Sequence, residues 1–353
     1  MARCGGPGWL LGPMPHGGAL GTMTASQIRQ RTMHPALPVI TVLGASGAQG
    51  GGLVRALLCP AQVRFAVRAV TRKPASPAAQ ALAEAGAEVV AGDLDDPHTL
   101  RRAIEGAHGL FAVTNFWEHL SPERELLQAR NIADAARDAA VRHVIWSTLE
   151  DTRRWVPLED ARLPTLMGNY KVPHFDAKGA ADALFRVRGL PLTRLITSFH
   201  WDNLIHFGMG PRRGLDGCLV LALPMGEMPL PGIAAADIGP CAAALFARGE
   251  TVIGQCVGIA GGHLTMAQMA EVLSGVMGEA VRPVSPRFAD YAALPFPGAA
   301  DVANMFQFKH DFNAEFCARR DVAATRELHP RLQDFATWAQ RHAHGLRAGA
   351  GLA

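Results

Sequence analysis

The chain has 353 residues, is 49% hydrophobic and carries a formal charge of +3, which allows an α/β domain of about 200 residues and a smaller second lobe. Arg3, Arg29 and Arg31 lie in the first 36 residues, which hold no acid, so the remainder is formally neutral and offers no basic footprint for direct nucleic-acid binding. No apolar run approaches the roughly 20 residues that cross a bilayer, and the six scattered cysteines show neither a CxxC pair nor a metal-binding spacing, so we expect a cytoplasmic protein with reduced thiols, no membrane contact and no metal.

Residues 1–36, rich in Gly, Pro and Met, lack apolar periodicity and read as a disordered tail. Met1, Met23 and Met33 are all candidate start codons. From Val39 onward, short apolar runs at 39–43, 66–71, 87–91, 109–113, 143–147 and 192–196 predict strands, and the stretches near 50–59, 75–85, 97–106, 121–141 and 175–188 predict helices. That alternation implies a doubly wound parallel sheet covered on both faces. After Thr197 the alternation stops. The segment 200–235 is dense in Gly and Pro, and helical patterns return near 237–248, 265–278 and 330–343.

The first strand runs into Gly44-Ala45-Ser46-Gly47-Ala48-Gln49-Gly50 and then into a helix. Glycines there let the backbone approach a pyrophosphate, and the helix N-terminus supplies free N–H groups. With a strand before and a helix after, the turn predicts a Rossmann-type dinucleotide domain over 37–197. The smaller C-terminal α/β lobe spans 198–345 with some return to the Rossmann core, and 346–353 is expected to be a flexible C-terminus. The second strand ends in Arg72-Lys73 where an NAD site would carry an acid, and a guanidinium beside an ammonium suits a 2′-phosphate. The expected cofactor is NADP(H). Asp93 and Leu94 after the third strand, and Thr114 and Asn115 after the fourth, fall at strand carboxyl ends where ligands bind; for Asp93, capping a turn is the competing role.

A short-chain reductase uses a Tyr with a Lys four residues later, but the residues four beyond Tyr170 and Tyr291 are His174 and Pro295. In place of that dyad stands His174-Phe175-Asp176-Ala177-Lys178, at a helix begun by Pro173. His174 reads first as a packing or ligand-contact residue, with proton donation as the competing role, and Lys178 is the candidate ribose contact. Ser147 closes the fifth strand as a polar neighbour.

Over residues 38–345 the chain resembles the NmrA-like proteins, atypical members of the short-chain dehydrogenase/reductase superfamily, and within them the NADPH-sensing branch. The resemblance rests on Gly44 to Gly50, Val70 to Arg72, FAVTNFWE at 111–118, HFDAKG at 174–179 and PFPGAADVANMFQF at 295–308. It implies NADP(H) bound to regulate protein partners rather than consumed in turnover. By that resemblance, Gly44, Ser46, Gly47, Ala48, Gln49 and Gly50 hold the pyrophosphate and Arg72 the 2′-phosphate, with Lys73 extending the basic pair. Asp93 and Leu94 then frame the adenine, Thr114, Asn115 and Lys178 flank the ribose and nicotinamide, and 198–203 closes over the nicotinamide end.

Two functions are weighed, and the missing Tyr-Lys dyad favours the first over a classical dehydrogenase. One is a redox sensor acting in transcriptional regulation through a protein partner, with a homodimer also possible. The other is an NADPH-dependent reductase of a quinone, enone or aldehyde using His174 and Lys178. A narrow sealed cleft would favour the first, an open apolar pocket the second. Phe296, Phe306 and Phe308 read as core of the small lobe or as a partner surface, and Trp117 and Trp201 as cleft wall or core.

Overall fold

The computed structural model describes residues 37–59 and 64–352; the tail expected over 1–36 lies outside them. The chain begins with β1 (Val39–Val42), α1 (Ala48–Leu57), β2 (Ala66–Thr71), α2 (Pro77–Glu84), β3 (Glu88–Ala91), α3 (Pro97–Ile104) and β4 (Gly109–Ala112). It continues through α4 (Pro122–Asp138), β5 (His143–Thr148), α5 (Pro173–Arg186) and β6 (Leu192–Ile196). Each of α2, α3 and α4 starts in the same way. Ser76, Asp96 and Ser121 accept a first-turn backbone N–H, and a proline follows at once, where its fixed φ and missing donor cost nothing.

The main sheet has seven strands in the order β11-β6-β5-β4-β1-β2-β3, where β11 is Cys256–Gly258, and every neighbouring pair is parallel. Because β1 lies between β2 and β4, crossovers leave it in both directions. This reversal opens a crevice at the carboxyl ends of β1 and β4. Strand alternation divides the apolar residues between two cores. Ile40, Val42, Phe111 and Ile145 pack with Leu53 and Val54 of α1, whereas Leu110, Ala112, Val144 and Trp146 pack with Leu100, Ile132 and Phe185 on the opposite face.

The C-terminal half adds β7 (Phe199–His200), α6 (Asn203–His206), β8 (Arg212–Arg213), β9 (Leu219–Ala222), β10 (Leu230–Ile233) and α7 (Ala235–Arg248). After β11 come β12 (Gly262–Leu264), α8 (Met266–Met277), β13 (Val281–Val284), α9 (Phe288–Ala292), α10 (Ala299–Asp311) and α11 (Asn313–Ala318). The last helices are α12 (Val322–Leu328), α13 (Phe335–Arg341) and α14 (Ala343–Gly349), the last with Leu346 buried. Two small sheets, β12-β10-β7 and β13-β9-β8, frame this part. Helix α7 returns to the main sheet and lies against α1 so closely that a Cβ on Gly239 would stand 2.1 Å from the Gly52 carbonyl carbon. Only glycine permits that approach.

A third core gathers Phe175, Phe199, Trp201, Phe306, Phe308, Phe316, Phe335 and Trp338. Phe306 and Phe308 are therefore core, at about 1.5–3 kcal/mol each for burial, while Phe296 stays partly exposed. The segment 198–203 is built into the fold rather than free to close: Phe199 and His200 pair with β10, and Trp201 is buried.

Candidate active site

A cavity of about 980 Å³ lies at the carboxyl ends of the central strands. Its lining includes Gly44, Ser46, Gly47, Ala48, Gln49 and Gly50 from the glycine turn, Arg72 and Lys73 after β2, Asp93 and Leu94 after β3, Thr114 and Asn115 after β4, and His174 and Lys178 on α5. The cavity thus brings together all the residues expected to form the site, although they come from separate parts of the chain.

The turn is shaped by what its glycines lack. Gly44 has φ +64, and a Cβ on Gly50 would stand 2.4 Å from the Gly44 carbonyl oxygen. Helix α1 has Gly47 at its N-cap, with no side-chain cap and no acid in its first turn. Its leading N–H groups and positive dipole end are left for an anion. Gln49 is fixed at its side-chain oxygen, which accepts from Ser147 Oγ at 2.8 Å.

At the Arg72 end, Arg72 Nη2 meets Glu118 Oε2 at 2.9 Å, and Asn115 Nδ2 donates to the same carboxylate at 3.3 Å. Glu118 belongs to a short 3-10 turn, Phe116–Glu118. Asp93 performs the turn role weighed for it, accepting from the Asp95 N–H at 3.0 Å, while still lining the cavity. The Leu94 carbonyl accepts from Asn131 at 2.9 Å.

The start of α5 is organised by Asp176, which is fully buried. Its carboxylate accepts from Thr152 N–H and Oγ1 at 2.7 and 2.6 Å, Lys171 N–H at 2.7 Å and Val172 N–H at 3.1 Å. These bonds set the rotation of the helix, and with it the places of His174 and Lys178. Lys178 Nζ donates to the Thr114 carbonyl at 2.9 Å and Thr114 Oγ1 at 2.6 Å, and pairs with Glu125 Oε1 at 2.7 Å. Three acceptors meet the three hydrogens of an ammonium, so Lys178 serves first to fix the end of β4. Glu125, fully buried on α4, was not singled out in the sequence, where it reads as one of several first-turn acids.

His174 is nearly buried, and its Nδ1 lies 2.7 Å from Asp301 Oδ1 on α10. The other Asp301 oxygen accepts the His174 backbone N–H at 3.1 Å. With Nδ1–H donating to the carboxylate, Nε2 is left for another partner. The imidazole lies 4.8 Å from the Trp117 ring and 6.0 Å from that of Phe116. Beyond it the lining becomes apolar, with Phe175, Phe199, Val302, Met305 and Phe316. Lys309 also lines this part; burial pushes its amine down to about 7, helped by the charge of Arg320 and opposed by Glu150. Asp301 and Lys309 fell within or beside the motif at 295–308, but the sequence alone gave them no role. Among the described residues, no His, Cys, Asp and Glu group of three or more suits a metal ion, and no helix is long and apolar enough to cross a membrane.

The NmrA-like family pattern matches residues 38–339. The chain is 28% identical over 309 residues to the NmrA-like family domain-containing oxidoreductase ptmS of Penicillium ochrochloron, covering 80% of this chain and 86% of that protein. A 118-residue stretch is 42% identical to the corresponding oxidoreductase notA' of Aspergillus versicolor, about a third (32%) of each chain. Among solved structures, NmrA, a negative transcriptional regulator, in complex with NADP, superposes with a TM-score of 0.70 at 21% identity, covering 86% of this chain and 94% of that one.

Proposed function

The chain belongs to the NmrA-like family, and on that premise we propose that it binds NADP(H) and reduces a quinone, enone or aldehyde. One observation carries this reading: the cavity that holds the glycine turn and Arg72 also holds His174, with an apolar lining beyond it, and Asp301 outside that lining pairs with the imidazole. An open apolar pocket beside a proton-bearing group suits turnover better than a sealed cleft does. The names of the oxidoreductase relatives agree with it.

The residues present suit an anionic dinucleotide. The uncapped first turn of α1 faces a pyrophosphate, Arg72 and Lys73 a 2′-phosphate, Asp93 and Leu94 an adenine, and Thr114 and Asn115 the middle of the molecule. Bound NADPH supplies a hydride. Asp301 holds the ring of His174 with Nδ1–H toward itself, so when the ring is doubly protonated its Nε2 proton can pass to the substrate oxygen as negative charge develops there, leaving the neutral imidazole. Lys178, bound to Thr114 and Glu125, keeps the end of β4 in place and adds positive charge beside the ribose position. Phe116, Trp117 and Phe175 keep water from the imidazole and offer flat walls to a conjugated substrate.

The test is NADPH consumption with a panel of quinones, enones and aldehydes. Wild type should turn over at least one of them, and His174→Ala should lower kcat by about a hundredfold or more. A second reading, a redox sensor acting on a protein partner or a second copy, draws on Phe207 and Phe296. Both line the cavity and are 58% and 37% exposed, so a ligand inside can alter an apolar surface outside. Tight NADPH binding without turnover on the whole panel would favour that reading.

A further inference from the structure

Lysine is scarce in this chain: of 34 Lys and Arg residues, only Lys73, Lys171, Lys178 and Lys309 are lysine. Lys73 is exposed at the cavity mouth. Lys171 is buried but donates to four oxygens, those of Leu158, Asp160, Leu163 and Thr165, at 2.7 to 3.0 Å, and Lys178 has its three acceptors. Lys309 has no comparable set. Its side chain lines the cavity and is 3% exposed, and among the described residues its Nζ has one hydrogen-bond partner, Met305 Sδ at 3.2 Å, a weak acceptor. The rings of Phe175, Phe199, Phe306 and Phe316 surround it, with centroids 5.6 to 5.8 Å from Nζ.

The charges around it do not compensate for this burial. Glu150 is already held by Arg320 through bonds of 2.7 and 2.9 Å, and His200 on β7 is pushed down to about 4 by burial, so it stays neutral. Arg320 itself opposes a second cation nearby. An aromatic wall can hold an ammonium, but without a paired carboxylate burial pushes the amine down to about 7, and the uncharged form competes well. An arginine could not shed its charge there.

We propose that Lys309 is a carbonyl-reactive amine at the apolar end of the cavity, condensing with an aldehyde or ketone carried on an aromatic or aliphatic body. The uncharged Nζ attacks the carbonyl carbon and an N–C bond forms. The carbonyl oxygen then leaves as water with the two amine hydrogens, and an imine remains. The surrounding Phe rings and Met305 select the apolar body of the ligand, and the desolvation they impose is what keeps the amine reactive near neutral pH.

The reaction needs no cofactor, so its test is independent of the reductase reading. The full-length protein is incubated at pH 7 with benzaldehyde and sodium cyanoborohydride, which reduces the imine to a stable secondary amine, and peptide mass spectrometry compares the four lysines. Lys309 should be modified roughly tenfold or more faster than Lys73 in the same sample, because an exposed amine is almost wholly protonated at that pH. Unfolding the protein in urea should abolish the difference. Lys309→Met should lose the adduct at this site while melting no lower than wild type, which separates loss of reactivity from loss of fold. Modification of Lys73 with Lys309 untouched, or equal rates at the two in the folded protein, would overturn the proposal.

Discussion

Glu118 holds Arg72 across the mouth of the cavity, with Nη2 2.9 Å from Oε2 and 3.0 Å from Oε1. The same short turn carries Trp117, whose ring lies 4.8 Å from that of His174. On the proposed reading, a 2′-phosphate at Arg72 would compete with Glu118 for the guanidinium. Occupancy at the adenine end would then be linked to the segment that covers the imidazole.

Removing the competing charge should therefore help NADPH and leave NADH alone. Both partners are about half exposed, and such a pair is worth at most about 1 kcal/mol. Glu118→Gln should tighten NADPH by up to about fivefold, read by isothermal titration calorimetry. An unchanged NADPH affinity would mean that the carboxylate does not compete.

Asp301 acts on the imidazole and not on the substrate. Asp301→Asn keeps the shape but offers an amide where Nδ1–H needs an acceptor, so the ring loses its fixed tautomer. We expect kcat to fall about tenfold or more with KM little changed, and the pH profile of kcat to move. A loss confined to KM, with the pH profile intact, would assign Asp301 to packing alone.

The pair of Lys178 and Glu125 gives a stability prediction. Glu125→Ala leaves a nearly buried ammonium without its carboxylate, which costs about 3–5 kcal/mol. Urea unfolding should show that loss. Replacing both charges, with Glu125→Leu and Lys178→Met together, should recover most of it. If the double variant is as unstable as the single one, the ion pair is not the source of the effect.

Lys309 links stability to pH with a defined sign. Its amine is lowered to about 7 in the folded protein, whereas the unfolded chain titrates near the usual lysine value of about 10.4. Between those values the unfolded state binds more protons, so this residue's contribution rises with pH and is lost as pH falls toward 7. The stability difference between Lys309→Met and wild type should therefore shrink by a few kcal/mol from pH 7 to pH 10, measured by denaturant unfolding. A difference that is flat across that range would show an amine of ordinary affinity for protons.

What could be read from the sequence followed local chemistry. The first six strands of the sheet and the helices between them announce themselves by short apolar runs that alternate with helical stretches, whereas the caps at Ser76 and Asp96 emerged only with the structure. The glycine turn, Arg72, His174 and Lys178 stand in recognisable local patterns, and the structure gathers them into one cavity. The partners that govern those residues were not legible. Asp301 lies 127 positions from His174, and no spacing rule joins them. Glu125 looks like any acid at the start of a helix. Lys309 gains its character from rings on α5, β7 and α11 as well as its own helix, so only the tertiary fold makes it unusual. Strand β11, three residues long, is too short to alternate visibly.

The most direct measurement of the account is a parallel titration of wild type and Arg72→Ala with NADPH, NADP, NADH and NAD. We expect wild type to bind the two phosphorylated forms at least about tenfold more tightly, as one charge-assisted bidentate contact to phosphate allows, and Arg72→Ala to lose most of that preference, with only Lys73 left to meet the phosphate. Equal affinities in wild type, or a preference undiminished in Arg72→Ala, would contradict it.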